Sequence, residues 1–274
     1  MTQKNPQVLY NSQNRQELLK TALEYARSPL QEDQDVLLRF LRTEGFLTRL
    51  DSPQDYQQME PRHLRLARII KALMDNGSQA AQRTLLALTQ SPTFTEDEGR
   101  VELLIEALVV IRPAPPEAIR FWDQYSQPDC PEVHMVMDAL ADNGSEPAIS
   151  LFEKKMSTPG FEPEELVAWM RDPVLRHRND PLMLKACQRL LVGGLPEEIR
   201  ADLVEALCDY RPDHWYAADL KPQPPPRSSA TKEARDLQRA ICNYALEHVT
   251  LSPRQRAAVE AALKELDLLD GRKP

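Results

Sequence analysis

Two charged strips are the first residues in this chain whose types and spacing suggest chemistry. Arg62, His63, Arg65, Arg68 and Lys71 recur at near-helical intervals and lay a basic strip along one segment. Glu98, Glu102 and Glu106, at i, i+4 and i+8, lay an acidic strip along a later one. Such strips bind through ion pairs and break no bonds. Two readings stand side by side: a bipolar groove for a charged partner segment, or neighbouring helices pairing the strips with each other. Each exposed pair would contribute only a fraction of a kcal/mol. A third cluster, His214, Trp215 and Tyr216, lies within "DHWYAAD". Large aromatics can anchor a partner, and the same side chains can pack beneath the helices that follow.

The remaining polar residues do not assemble a reaction centre. His134 precedes Asp138 by four residues and His177 sits in "RHRND", neither with the spacing of a metal cluster. Asp75 and Asp142 recur at one turn position and read as hydrogen-bond holders of that turn. No GxSxG, HExxH, P-loop or GxGxxG occurs, and only 8 glycines are present to build a phosphate cradle. Cys130, Cys187, Cys208 and Cys242 lie far apart without a CxxC pair. That spacing argues against zinc or a disulfide framework and fits a reducing cytoplasm. The expectation is no catalytic residue, no cofactor and no metal.

The elements that carry these residues follow from composition and period. The chain of 274 residues is 42% hydrophobic, with 23 prolines. Abundant proline with scarce glycine suits many short helices with sharp stops. The N-terminus lacks the apolar core of a signal peptide. The most apolar run, "LLIEALVVI" at 103–111, is interrupted by Glu106 and is far short of the ~20 residues a membrane helix needs. Charge is uneven: residues 73–160 hold 6 Lys/Arg against 14 Asp/Glu. This acidic belt has the wrong sign for a generic nucleic-acid binder.

The phrase "ALMDNGSQAAQRTLLAL", Ala72 to Leu88, returns as "ALADNGSEPAISLFEKK", Ala139 to Lys155. Aligned units begin at Lys71, Glu106, Asp138, Asp172 and Glu205, with steps of 35, 32, 34 and 33 residues. Within them Val101, Leu104, Ile105, Leu108 and Ile111 form a helical stripe, as do Ala118, Phe121, Trp122 and Tyr125. Asp-Asn-Gly-Ser reads as punctuation: Asn76 or Gly77 stops one helix in the left-handed conformation and Ser78 caps the next. Asp142 to Ser145 is expected to do the same, with Arg112-Pro113 and Arg211-Pro212 as the stops elsewhere.

Gly77, Ser78, Ala81 and Leu85, with Gly144, Ser145, Ala148, Ile149 and Phe152, resemble the HEAT-like repeat family, in the variant named after phycobilisome lyases. The resemblance covers roughly residues 61–210. It implies an all-α fold, an α-solenoid of antiparallel two-helix repeats, with both charged strips on inner helices lining the concave face. Tetratricopeptide repeats share the period, but their Gly-to-Ala spacing is five, whereas here it is four.

Outside the array, residues 1–60 read as a flexible start, 1–13, followed by capping helices at 14–27 and 34–49. Residues 220–232 read as a proline-rich linker and 233–274 as two capping helices. A solenoid surface without catalytic motifs points to a non-catalytic protein-interaction module or scaffold with a protein partner. The resemblance also admits enzymes: HEAT-like glycosylases for alkylated DNA bases, imitated only by Trp122-Asp123 and Trp215…Asp219, or bilin lyases. A structural subunit of a larger complex is the remaining alternative.

Overall fold

The computed structural model describes residues 4–60, 63–208 and 225–271. Every regular element among the described residues is a helix, and none is long and apolar enough to cross a membrane. The chain divides into two units, Met1–Gln124 and Tyr125–Pro274.

The first unit contains α1 (Gln7–Asn11), α2 (Arg15–Ala26), α3 (Gln31–Leu41), α4 (Glu44–Leu50) and α5 (Pro53–Gln58). It continues with α6 (Arg65–Asn76), α7 (Gln79–Leu88), α8 (Pro92–Thr95), α9 (Glu98–Leu108) and α10 (Pro116–Gln124). Consecutive helices α2–α3 and α6–α7 pair as hairpins. Alternate helices then pack side by side, α2 on α6 and α6 on α9, with α3 on α7. Leu66, Ile69, Ile70 and Leu73 bury one face of α6, while Trp122 is fully buried and donates its indole N–H to the Ile105 carbonyl at 3.3 Å.

The second unit contains α11 (Val133–Asn143), α12 (Glu146–Met156), α13 (Pro163–Arg176), α14 (Pro181–Arg189), a π turn (Leu190–Gly194) and α15 (Glu197–Cys208). A short 3-10 turn at Arg227–Ser229 leads to α16 (Lys232–His248) and α17 (Pro253–Leu269). The alternation repeats: α11, α13, α15 and α17 pack in succession, and so do α12, α14 and α16.

The turns work as the sequence suggests, with one difference. Gly77 closes α6 at φ +62°, and the Ser78 hydroxyl accepts the Ala81 N–H at 3.2 Å. Gly144 closes α11 at φ +66°, but the Ser145 hydroxyl turns to the Asn143 side chain. Asn76 has a further task, donating to the Ala26 and Ser28 carbonyls at 2.7 and 2.9 Å and so tying the end of α6 to the end of α2.

Other expectations are altered. The helix expected over 34–49 is two helices broken at Arg42 and Thr43. There the Arg42 guanidinium reaches the Ala87 carbonyl at 2.7 Å, and the Arg42 carbonyl accepts from Thr93 at 2.8 Å. Thr43 leaves the helical conformation at φ −104° and ψ 106°, and the Thr93 hydroxyl satisfies the carbonyl at the break. In the start read as flexible, residues 7–11 form α1 and bury Leu9 completely. Of the segment read as a linker, residues 220–224 lie outside the described residues, whereas the next are anchored. The Pro225 carbonyl accepts from Arg178 at 2.9 Å, the Pro226 carbonyl accepts from Asn179 at 2.8 Å, and Arg227 is buried.

Candidate binding groove

The start of α6 is fixed from outside the helix. Leu64 stands at its N-cap without a capping side chain, and the buried Asp51 carboxylate instead accepts the N–H groups of Arg65 and Leu66 at 3.0 and 2.8 Å. Negative charge at a helix N-terminus is favourable because the free N–H groups and the helix dipole both face it. Burial of Leu66, Ile69, Ile70 and Leu73 then turns Arg65, Arg68 and Lys71 outward, one helical turn apart.

These cations have different fates. Arg65 is committed, donating to the Leu50 carbonyl and to Asp51 at 3.3 Å and lying 3.7 Å from Asp55. Lys71 makes an exposed pair with Asp75 at 3.2 Å, one helical turn away. Arg68 is exposed and has no hydrogen-bond or ion-pair partner among the described residues. Among the described residues no ion pair joins Arg65, Arg68 or Lys71 to Glu98, Glu102 or Glu106. On α9, Glu98 and Glu106 are exposed and Glu102 is half-buried.

Between α2 and α6 lies an open groove of about 440 Å³, lined by Leu23, Arg27, Arg68, Lys71, Ala72, Asp75 and Asn76. Leu23 and Ala72 supply an apolar floor. Arg27, exposed at the end of α2, is likewise without a side-chain partner among the described residues. Sequence reasoning missed Arg27, because only the packing of α2 on α6 brings it beside Arg68. Arg62, His214, Trp215 and Tyr216 lie outside the described residues. His134 is exposed, and Trp169 stacks edge-on against Phe161 with centroids 4.7 Å apart.

Elsewhere the charged clusters are structural. Arg100 is buried and forks onto Glu44 at 2.7 and 3.1 Å. In the second unit Arg176 bridges Asp138 and Asp142, and His177 Nε2 lies 2.8 Å from Asp142. Asp142 therefore ties α11 to α13, and Asp75 pairs with Lys71 within its own helix. Burial pushes the Asp138 carboxyl up, and Arg176 offsets this only in part. At Asp142 burial acts the same way but is outweighed by His177 and Arg176, which hold the group below the ordinary carboxylate range. No group of three or more His, Cys, Asp or Glu suited to a metal occurs among the described residues. Compared with protein-family models, curated proteins and solved structures, the chain matches none.

Proposed function

We propose that the chain is a scaffold of stacked, HEAT-like helix hairpins that binds a protein partner, with the α2–α6 groove receiving an acidic segment of that partner. The hairpin stacking reading draws on the alternate packing of α2, α6 and α9 in one unit and of α11, α13, α15 and α17 in the other. The observation that carries the binding reading is the pair of guanidiniums, Arg27 and Arg68, facing one groove without a carboxylate of their own. A ligand carboxylate satisfies both and competes with Asp75 for Lys71. An extended nucleic acid suits the groove less well, since the chain carries a net charge of −8 and its acidic belt repels a polyanion.

Fluorescence anisotropy with a labelled acidic dodecapeptide, a basic dodecapeptide and a single-stranded oligonucleotide tests this. The acidic peptide should bind best. Reversing two exposed cations, Arg27→Glu with Arg68→Glu, should weaken it by about tenfold or more, because each exposed pair contributes up to ~1 kcal/mol and reversal adds repulsion. Equal affinity for the double variant, or preference for the oligonucleotide, would refute the assignment.

A further inference from the structure

Cys208 and Cys242 are 34 residues apart in sequence, yet α15 and α16 bring their sulfurs to 3.6 Å. Both thiols are buried, and both are free. The buried Arg227 guanidinium donates to the Leu207 carbonyl at 2.8 Å and to the Cys208 carbonyl at 3.2 Å, and it pairs with Glu265 at 2.8 Å. Its anchor on the last turn of α15 holds a positive charge beside the sulfur pair.

We propose that Cys208 and Cys242 form a reversible redox site, in which a small hydroperoxide converts the two thiols into a disulfide linking α15 to α16. The neighbouring groups assign the roles. Cys242 gives up its proton more readily than an ordinary thiol because of its hydrogen bond with Cys208, with Arg227 and Arg239 adding favourable charge. Cys208 is pushed up by the same hydrogen bond and by burial. The Cys242 thiolate is therefore the attacking sulfur and Cys208 the resolving one.

The Cys242 thiolate attacks the distal oxygen of the hydroperoxide and the O–O bond breaks. An alcohol leaves after taking up a proton, or water when the oxidant is hydrogen peroxide, and Cys242 becomes a sulfenic acid. Cys208 sulfur then attacks the Cys242 sulfur. The S–O bond breaks, and the hydroxide takes the Cys208 proton and departs as water. Two thiols are oxidised by two electrons, and the peroxide is reduced by two. A thiol reductant reverses the bond by exchange. A disulfide brings its sulfurs to ~2 Å, so the two side chains must close the remaining gap by a small movement.

The other cysteines provide internal controls. Burial and the neighbouring Glu132 push Cys130 up to about 11, and burial pushes Cys187 up to about 12, so neither forms appreciable thiolate near neutral pH. The full chain, reduced and then treated with dilute hydrogen peroxide at pH 7.5, is quenched, denatured and alkylated for peptide mapping without reduction. The expected result is one cross-link, Cys208 to Cys242, formed at least about tenfold faster than any oxidation of Cys130 or Cys187 and lost on adding dithiothreitol. In Cys208→Ser the oxidation should stop at a sulfenic acid on Cys242, trapped by dimedone. Persistence of both thiols while Cys130 oxidises would overturn the proposal, as would a cross-link between other cysteines. The wild-type map decides this even where the serine variant does not fold.

Discussion

Replacing Gly77 by alanine isolates the cost of one backbone conformation. Gly77 closes α6 at φ +62°, ψ −3°, with its N–H 3.4 Å from the Leu73 carbonyl. A Cβ built there meets nothing within 4 Å, so sterics with neighbours contribute nothing. What remains is the left-handed penalty of an L residue, about 1–2 kcal/mol. Against it stands the reduced freedom of the unfolded alanine chain, about 0.4–1 kcal/mol in the opposite direction. The difference of the two mid-range values is an expected net loss of about 0.8 kcal/mol. Gly77→Asn should lose less, because asparagine visits this conformation more readily. Gly193→Ala is the control: it also meets nothing within 4 Å but has no positive φ, so it should leave stability unchanged or slightly raised. Urea unfolding followed by far-UV circular dichroism reads the difference as a midpoint shift of roughly 0.5 M at constant slope. An unshifted Gly77→Ala midpoint, or an equal loss in Gly193→Ala, would refute the reasoning.

Phe152, fully buried on α12, should cost about 3–5 kcal/mol when replaced by alanine, measured as a fall in urea midpoint. Glu44→Ala should destabilise more than Arg100→Met in thermal melts, because the first leaves a buried guanidinium short of its carboxylate whereas the second leaves a half-exposed carboxylate that water can solvate. Asp142 titrates below its unfolded value, so its contribution is complete above the ordinary carboxylate range and is lost as pH falls through the lower folded value. Acid unfolding of Asp142→Asn should accordingly show a shallower loss of stability below about pH 4 than wild type. Cys187, fully buried, should remain unmodified by maleimide at pH 7.5 in the native protein and react on denaturation, as read by intact mass.

The local grammar of this chain was legible without its fold. Apolar stripes at helical spacing define α6, α9 and α11 because a helix must bury one face, and Gly77 and Gly144 mark the ends of α6 and α11 because few other residues accept a positive φ. Pro181 and Pro253, at the starts of α14 and α17, obey the same local logic, since a missing N–H costs nothing there. Local pattern could not fix what comes from distant chain. Helix 34–49 read as continuous until Ala87 and Thr93 supplied partners that favour a break at Arg42. Arg65 and Arg68 looked alike in sequence; Asp51 and Asp55 claim one, while the groove beside Arg27 leaves the other free of a partner among the described residues. Cys208 and Cys242 looked remote until α15 and α16 packed. The sequence by itself determined where helices run and stop, because those choices rest on neighbours a few residues away. Tertiary structure alone decided which charges are spent and which thiols meet, because both depend on distances between segments that period and propensity do not encode.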